Sequence, residues 1–86
     1  MAASDIHTVV VNLDNDADPS PVQQAVEQIV RALDANATVE RRDLGEGGVQ
    51  LQVLVRGEPA AATAREQIAG HQGVRDAFVK PPDALP

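Results

Sequence analysis

The residues whose spacing most suggests chemistry are three alternating aspartates, Asp14, Asp16 and Asp18. Carboxylates at this spacing open a calcium-binding loop, which continues with a glycine and closes with a bidentate acid. Pro19 and Ala25 stand at those two positions here. Because half of the ligand set is missing, we expect no metal site. We expect instead a solvated loop whose charge favours the start of the following helix.

The other reactive side chains do not form a catalytic group. His7 and His71 are the two imidazoles, and neither has a neighbour at metal-ligand spacing. Ser4 lies near the N-terminus and Ser20 precedes a helix, without the motif that exposes a nucleophilic serine. The glycine-rich residues 45–48 lack the lysine of a phosphate-binding loop. We therefore expect a protein that is not an enzyme and needs no cofactor.

Composition narrows the classes of partner. The 86 residues carry a net charge of -6, with one phenylalanine and no tryptophan, tyrosine or cysteine. A negative chain without aromatic platforms does not suit nucleic acid or an anionic membrane surface. It fits a neutral or basic protein partner. With no signal peptide evident in residues 1–7 and no apolar run long enough to cross a membrane, we expect a cytoplasmic protein.

The first half of the chain predicts a strand, a helix and a second strand. Residues 6–13 are β-branched and apolar on both faces, which is typical of a central strand. Apolar residues then recur at spacings of three and four up to about Asp34, with Ser20 as the predicted N-cap, Pro21 in the first turn and Asn36 as the stop. Residues 38–43 are charged and predict an edge strand.

The second half predicts a hairpin, a helix and a last strand. Residues 49–56 alternate well, with Val49, Leu51, Val53 and Val55 on one face, and pair with the edge strand through the glycine turn. Pro59 lies near the start of a helix with a small-residue face, and Gly70 and Gly73 end it. Residues 74–79 form the fourth strand. The order β-α-β-β-α-β predicts an α+β, ferredoxin-like sandwich, a four-stranded antiparallel sheet with both helices on one face.

We expect one domain over residues 1–79 and an extended C-terminal tail over residues 80–86. Pro81 and Pro82 remove backbone donors and fix φ, so the tail cannot continue as a helix or a central strand. The alternation of the first strand also places some apolar surface on the sheet face away from the helices. An extended tail and an apolar sheet face are both suited to contacts with another protein.

The element order, the opening residues 6–12 and the closing residues 73–83 resemble the subtilase propeptides and their stand-alone inhibitor relatives. In that family a short glycine-valine strand ends the domain, and the segment after it lies in the protease's substrate groove. Val74, Phe78 and Val79 occupy the hydrophobic places of that strand, and Asp83 the place of a trailing acid. The start of the third strand and the scarcity of aromatics depart from the family pattern.

The resemblance implies a subtilisin-like serine protease as partner and an inhibitor or folding chaperone acting in trans. The open sheet face would pack on the protease and the tail would fill the groove. Leu85 would be a better anchor there than Pro86. Asp43 and Glu46 would cap helix N-termini of the partner. The partner-binding residues so implied are Val79, Lys80, Pro81, Pro82, Asp83, Ala84, Leu85, Pro86, Asp43 and Glu46.

Two other functions remain open at this point. One is a non-catalytic regulatory or assembly domain that forms a homodimer, or binds a partner, through a sheet edge or the open face. The other is an acylphosphatase-like hydrolase of the same fold, which ranks last because the loop after the first strand is acidic and would repel phosphate. The fold alone does not distinguish these functions.

Overall fold

The computed structural model describes residues 6–45 and 48–80. The elements are β1 (Ile6–Leu13), α1 (Pro19–Leu33), β2 (Thr38–Gly45), β3 (Gly48–Arg56), α2 (Glu58–Ala69) and β4 (Val74–Val79). All strand pairs are antiparallel, in the order β2-β3-β1-β4. The predicted ferredoxin-like α+β architecture is confirmed, with β1 in the centre and β2 at an edge.

The two faces of β1 have separate roles. Val9, Val11 and Leu13 point toward the helices and are buried in the core. Leu51, Val53 and Val55 of β3 are fully buried beside them. Because side chains alternate along a strand, the remaining residues of β1 must lie on the opposite face. Both helices pack against the first face, so no helix of the described residues covers the second.

Helix α1 packs through the predicted apolar stripe, with Val22, Val26 and Val30 buried. Its start differs from the prediction. Asp18, not Ser20, is the N-cap, and its side chain accepts a hydrogen bond of 3.3 Å from the Ser20 N–H. A residue before proline favours extended backbone, which is the conformation that an N-cap needs, and Pro19 supplies the first helical φ.

The end of α1 is a carboxylate cap rather than the predicted stop at Asn36. Asp34 is the C-cap and has extended backbone. Its Oδ1 accepts from the Asn36 N–H at 3.0 Å, and its Oδ2 accepts from the Arg56 N–H at 2.9 Å. One side chain therefore joins the end of α1 to the end of β3.

Helix α2 lies on the sheet through small side chains, as the sequence predicts. Ala61, Ala64 and Ile68 are fully buried. Gly57 precedes the helix with φ 93°, and Gly70 is the C-cap. Alanines at the contact let the helix backbone approach the strands closely, which a thin aliphatic core requires.

Strand β4 is joined to the core by a glycine and a bulge. Gly73 has φ 92°, and a Cβ at this position would lie 2.7 Å from Cγ2 of Val22. The register of β4 against β1 shifts between Asn12 and Leu13. This shift makes Arg75 the extra residue, so Val74 and Ala77 are both buried although they are three positions apart.

Among the described residues, no helix is both long and apolar enough to cross a membrane.

Candidate protein-binding surface

The sheet face away from the helices, here called the open face, consists of aligned rows of side chains. One row is Glu40, Gln52, Val10 and Phe78, from β2 to β4. The next row toward the end of β1 is Arg42, Gln50, Asn12 and Asp76, and the row toward its start contains Thr38, Leu54 and Thr8. The open face is therefore apolar at one end and polar at the other.

The apolar end is a compact patch on three strands. Ile6, Leu54 and Phe78 are 51%, 36% and 46% exposed, whereas Val10 between Gln52 and Phe78 is only 6% exposed. Val10 is buried without belonging to the main core cluster. We call Ile6, Thr8, Val10, Leu54 and Phe78 the apolar patch. It confirms the expected apolar surface on this face, and side chains of this kind favour contact with another protein.

The polar end is a chain of hydrogen bonds that crosses three strands. The Gln52 amide donates to Gln50 at 3.4 Å, Gln50 donates to Asn12 at 3.0 Å, and Asn12 donates to Asp76 at 2.8 Å. Every bond points the same way and the last acceptor is a carboxylate. Charge-assisted bonds are the stronger ones, and bonds in such chains reinforce one another. The chain fixes the side chains that border the apolar patch.

The sequence analysis did not predict this series of hydrogen bonds. The available signal was the placement of Asn12 in an otherwise apolar strand and the alternation of Gln50 and Gln52 with apolar residues. Gln50 and Asp76 lie 38 and 64 positions from Asn12 in the sequence. Only the strand order and register bring them together, so the sequence pattern alone could not predict the contact.

One hydrogen bond at the edge of the sheet shows which residues direct their backbone groups toward each neighbouring strand. We call this alternation the phase of the sheet. The Lys80 N–H donates to the Thr8 carbonyl at 2.7 Å. In antiparallel pairs the bonded residues alternate. Thr8, Val10 and Asn12 therefore direct their backbone groups toward β4, and the N–H and C=O of Ala77 and Val79 point away from the sheet. Within residues 6–45 and 48–80, no strand pairs with the β4 edge at these two residues.

Two predicted site residues lie at this edge. Val79 packs its side chain partly against the core, so its outward backbone, and not its side chain, is what the edge presents. Lys80 is exposed and extends the pairing of β4 to the level of Thr8. Lys80 therefore lies next to Thr8 of the apolar patch.

Asp43 lies elsewhere. It stands opposite Val49 on the helix side of β2, not on the open face, and its carboxylate pairs with Arg41 at 3.4 Å. Asp43 and Lys80 are at opposite corners of the sheet, on the order of 20 Å apart at ordinary strand spacings. The structure therefore does not bring these two predicted contacts together. Glu46, Pro81, Pro82, Asp83, Ala84, Leu85 and Pro86 lie outside the described residues.

The alternating aspartates line an open cavity of about 460 Å³ between the β1–α1 loop and the α2–β4 turn. His71 also lines it, and one imidazole nitrogen, Nδ1, lies 2.8 Å from the Gln72 carbonyl oxygen. Asp18 is engaged as the N-cap of α1. In the part of the chain that the structure describes, no three histidine or acidic side chains are arranged to hold a metal ion.

The one titratable group with a displaced pKa belongs, among the described residues, to the Asp34 cap. The Arg56 N–H, and then the Asn36 N–H, hold the pKa of this carboxyl below its ordinary value of 3.8. Hydrogen bonds to the charged form favour that form. The carboxylate joins the ends of α1 and β3, and it lines a cavity of about 190 Å³ together with Ile6 and Leu54 of the apolar patch.

No family model matches the chain, and no curated protein matches it significantly. Among solved structures, the chain is similar to the structured domain of Boca from Drosophila melanogaster, with a TM-score of 0.61 and 9% sequence identity. The match covers 91% of this chain and 99% of that one. At this identity the likeness shows the α+β fold and nothing about function.

Proposed function

We propose that this chain is a protein-binding module that inhibits, or assists the folding of, a subtilisin-like serine protease in trans. The open face packs on the protease, and residues 80–86 enter its substrate groove. The choice of partner rests on the resemblance of residues 6–12 and 73–83 to subtilase propeptides. The observation that carries the proposal is the position of the apolar patch beside the residue from which the C-terminal segment departs.

That position gives one partner access to both features. Phe78 of the apolar patch is two residues from Lys80, and the Lys80 N–H is bonded to Thr8 of the same patch. A protein seated on Ile6, Leu54 and Phe78 is therefore within reach of the segment that follows. Six residues of extended, proline-containing chain span about 19 Å, which is long enough to cross several subsites of a groove.

The energetic roles of the two features differ. Burial of the exposed parts of the apolar patch supplies non-directional attraction. Backbone pairing of the segment after Lys80 supplies register and selectivity, since a peptide added along an edge is read through its alternate side chains. Pro81 and Pro82 lower the ordering cost of the segment and also limit how many backbone bonds it can donate.

The test is inhibition of a purified subtilisin-like protease acting on a chromogenic peptide. The full chain should inhibit, and a chain ending at Val79 should lose most of the inhibition. Phe78→Ser should weaken it by about tenfold or more, since an exposed aromatic at an interface centre is a typical hot spot. Leu44→Ser is the matched control, because Leu44 is also an exposed apolar residue but lies on β2, at the other edge of the sheet.

Circular dichroism of each variant must show the fold of the parent chain. Unchanged inhibition after truncation, or equal effects of Phe78→Ser and Leu44→Ser, would contradict the proposal. Absence of inhibition by the full chain, together with unchanged refolding of the protease in its presence, would reject it altogether.

A further inference from the structure

The β2 edge of the sheet is a second, separate surface. All of its residues except Val39 are exposed. The sheet phase fixed by the Lys80–Thr8 bond extends through the regular registers of β1 with β3 and of β3 with β2. It directs the backbone of Thr38, Glu40 and Arg42 toward β3. The N–H and C=O groups of Val39, Arg41 and Asp43 therefore point outward.

The charges along this edge alternate in a way that suits pairing with a copy of itself. Glu40 and Arg42 lie on the open face, and Arg41 and Asp43 lie on the helix side. These four charges sum to zero although the whole chain carries -6. A neutral, charge-ordered edge in an acidic protein avoids the repulsion that two copies would otherwise experience.

We propose that two copies of this chain form a dimer by antiparallel pairing of their β2 strands about a two-fold axis at Arg41. In this register Val39 of one copy stands opposite Asp43 of the other, and all the outward backbone groups are bonded. On the open face, Glu40 of each copy stands opposite Arg42 of its partner copy. The product is a continuous eight-stranded sheet with all helices on one side.

Neighbouring registers fit less well. Residues that stand opposite each other must lie on the same face of the sheet. The two-fold axis must therefore pass through a residue, and the next possible registers place it one residue earlier or later. Placing the axis at Glu40 sets the two Glu40 carboxylates against each other. Placing it at Arg42 sets two Arg42 side chains against each other in a non-hydrogen-bonded pair, where side chains are closest. That register also requires Gly45, where the strand has φ 82° and its register shifts.

The selected register also sets the two Arg41 side chains opposite each other, but in a hydrogen-bonded pair, where side chains lie farther apart than they would in the Arg42 register. Each Arg41 already contacts its own Asp43 at 3.4 Å, and the partner's Asp43 is its diagonal neighbour across the axis. The Arg41 and Asp43 side chains are 39% and 74% exposed, so α1 does not cover the helix side at this point. Each copy keeps its open face and its β4 edge free for the partner described above.

The dimer is tested by sedimentation equilibrium of the full chain from micromolar to millimolar concentration. The expected mass is twice the 9.0 kDa of one chain at the upper end. Glu40→Arg should weaken association by more than about tenfold, since both reciprocal pairs become repulsive. Arg42→Glu should do the same, and the double exchange Glu40→Arg/Arg42→Glu should restore it.

A backbone variant separates edge pairing from charge. Arg41→Pro removes an outward donor that β3 does not use, so the monomer should fold and the dimer should be lost. Val79→Pro makes the same change at the β4 edge and should leave the dimer intact. A mass of one chain at every concentration would overturn the proposal, as would a dimer that survives Arg41→Pro or is lost with Val79→Pro. These outcomes are independent of protease inhibition.

Discussion

The two sides of the sheet use similar residues for different purposes. Leu51 on the helix side is fully buried, whereas Leu54, three residues later on the same strand, is 36% exposed on the open face. The helix side is covered by the buried valines of α1 and the buried alanines of α2. The open side combines an apolar patch with a fixed chain of amides. We infer that the helix side determines stability and that the open side is available for contacts.

The largest expected effect tests that division directly. Leu51→Ala should lower the free energy of unfolding by about 3 kcal/mol, since it leaves a cavity in a closed core. Leu54→Ala removes the same atoms from the open face and should cost less than about 1 kcal/mol. Urea unfolding followed by circular dichroism measures both. Equal losses would mean that the open face belongs to the core, and the division would fail.

A second comparison concerns two glycines with nearly the same φ, Gly73 at 92° and Gly57 at 93°. A Cβ on Gly57 meets nothing within 4 Å, so Gly57→Ala should cost only the strain of its backbone at φ 93° and ψ 131°, about 1–3 kcal/mol. Gly73→Ala adds a collision with Val22 and should cost about 1–3 kcal/mol more than Gly57→Ala. Thermal unfolding would show the difference.

The collision between a Cβ at Gly73 and the Val22 side chain can be tested separately from the backbone strain. In a Val22→Ala background, the cost of Gly73→Ala should fall to that of Gly57→Ala, because the methyl group at 2.7 Å is gone. Additive losses in the double variant would show that the packing of α1 against the turn before β4 is looser than described.

The smallest effect is a pH dependence from the Asp34 cap. Its pKa is held below 3.8, so the stabilisation is present above that pH and is lost as the pH falls through the lower folded-state pKa. Asp34→Asn should lower Tm by a few degrees at neutral pH and reduce the fall of Tm on acidification. Asp16→Asn, which removes an acid from the loop, is the control. Identical acid profiles for Asp34→Asn and the parent chain would contradict the role of the cap.

The sequence predicted the elements well where one periodicity was strong. The β-branched residues 6–13, the stripe of α1 and the alternation of β3 each match the structure closely. The start of α1 was misplaced because Asp18 and Ser20 are both good N-caps, and the deciding factor was the effect of Pro19 on its predecessor. Local propensity did not rank these two candidates.

The candidate surface was only partly predictable. The apolar residues of β1 indicated that the open face would carry apolar surface, and Leu54 and Phe78 joined them through the strand order. The placement of Asp43 on the helix side could not be read without the register of β2 with β3. The protease partner, the homodimer and the cytoplasmic location stay predictions, because each depends on molecules or surroundings outside this chain.

Because Arg75 is an extra residue in the ladder, β4 can lose one residue without changing the side to which its later residues point. Gly73 is constrained by Val22, while Phe78 must stay on the side opposite the helices. Without Arg75, Val74 would pair with Leu13 in an unbroken ladder, and Ala77, Phe78 and Val79 would keep their present sides. Loss of this one residue would therefore leave Phe78 on the open face and Val79 toward the core.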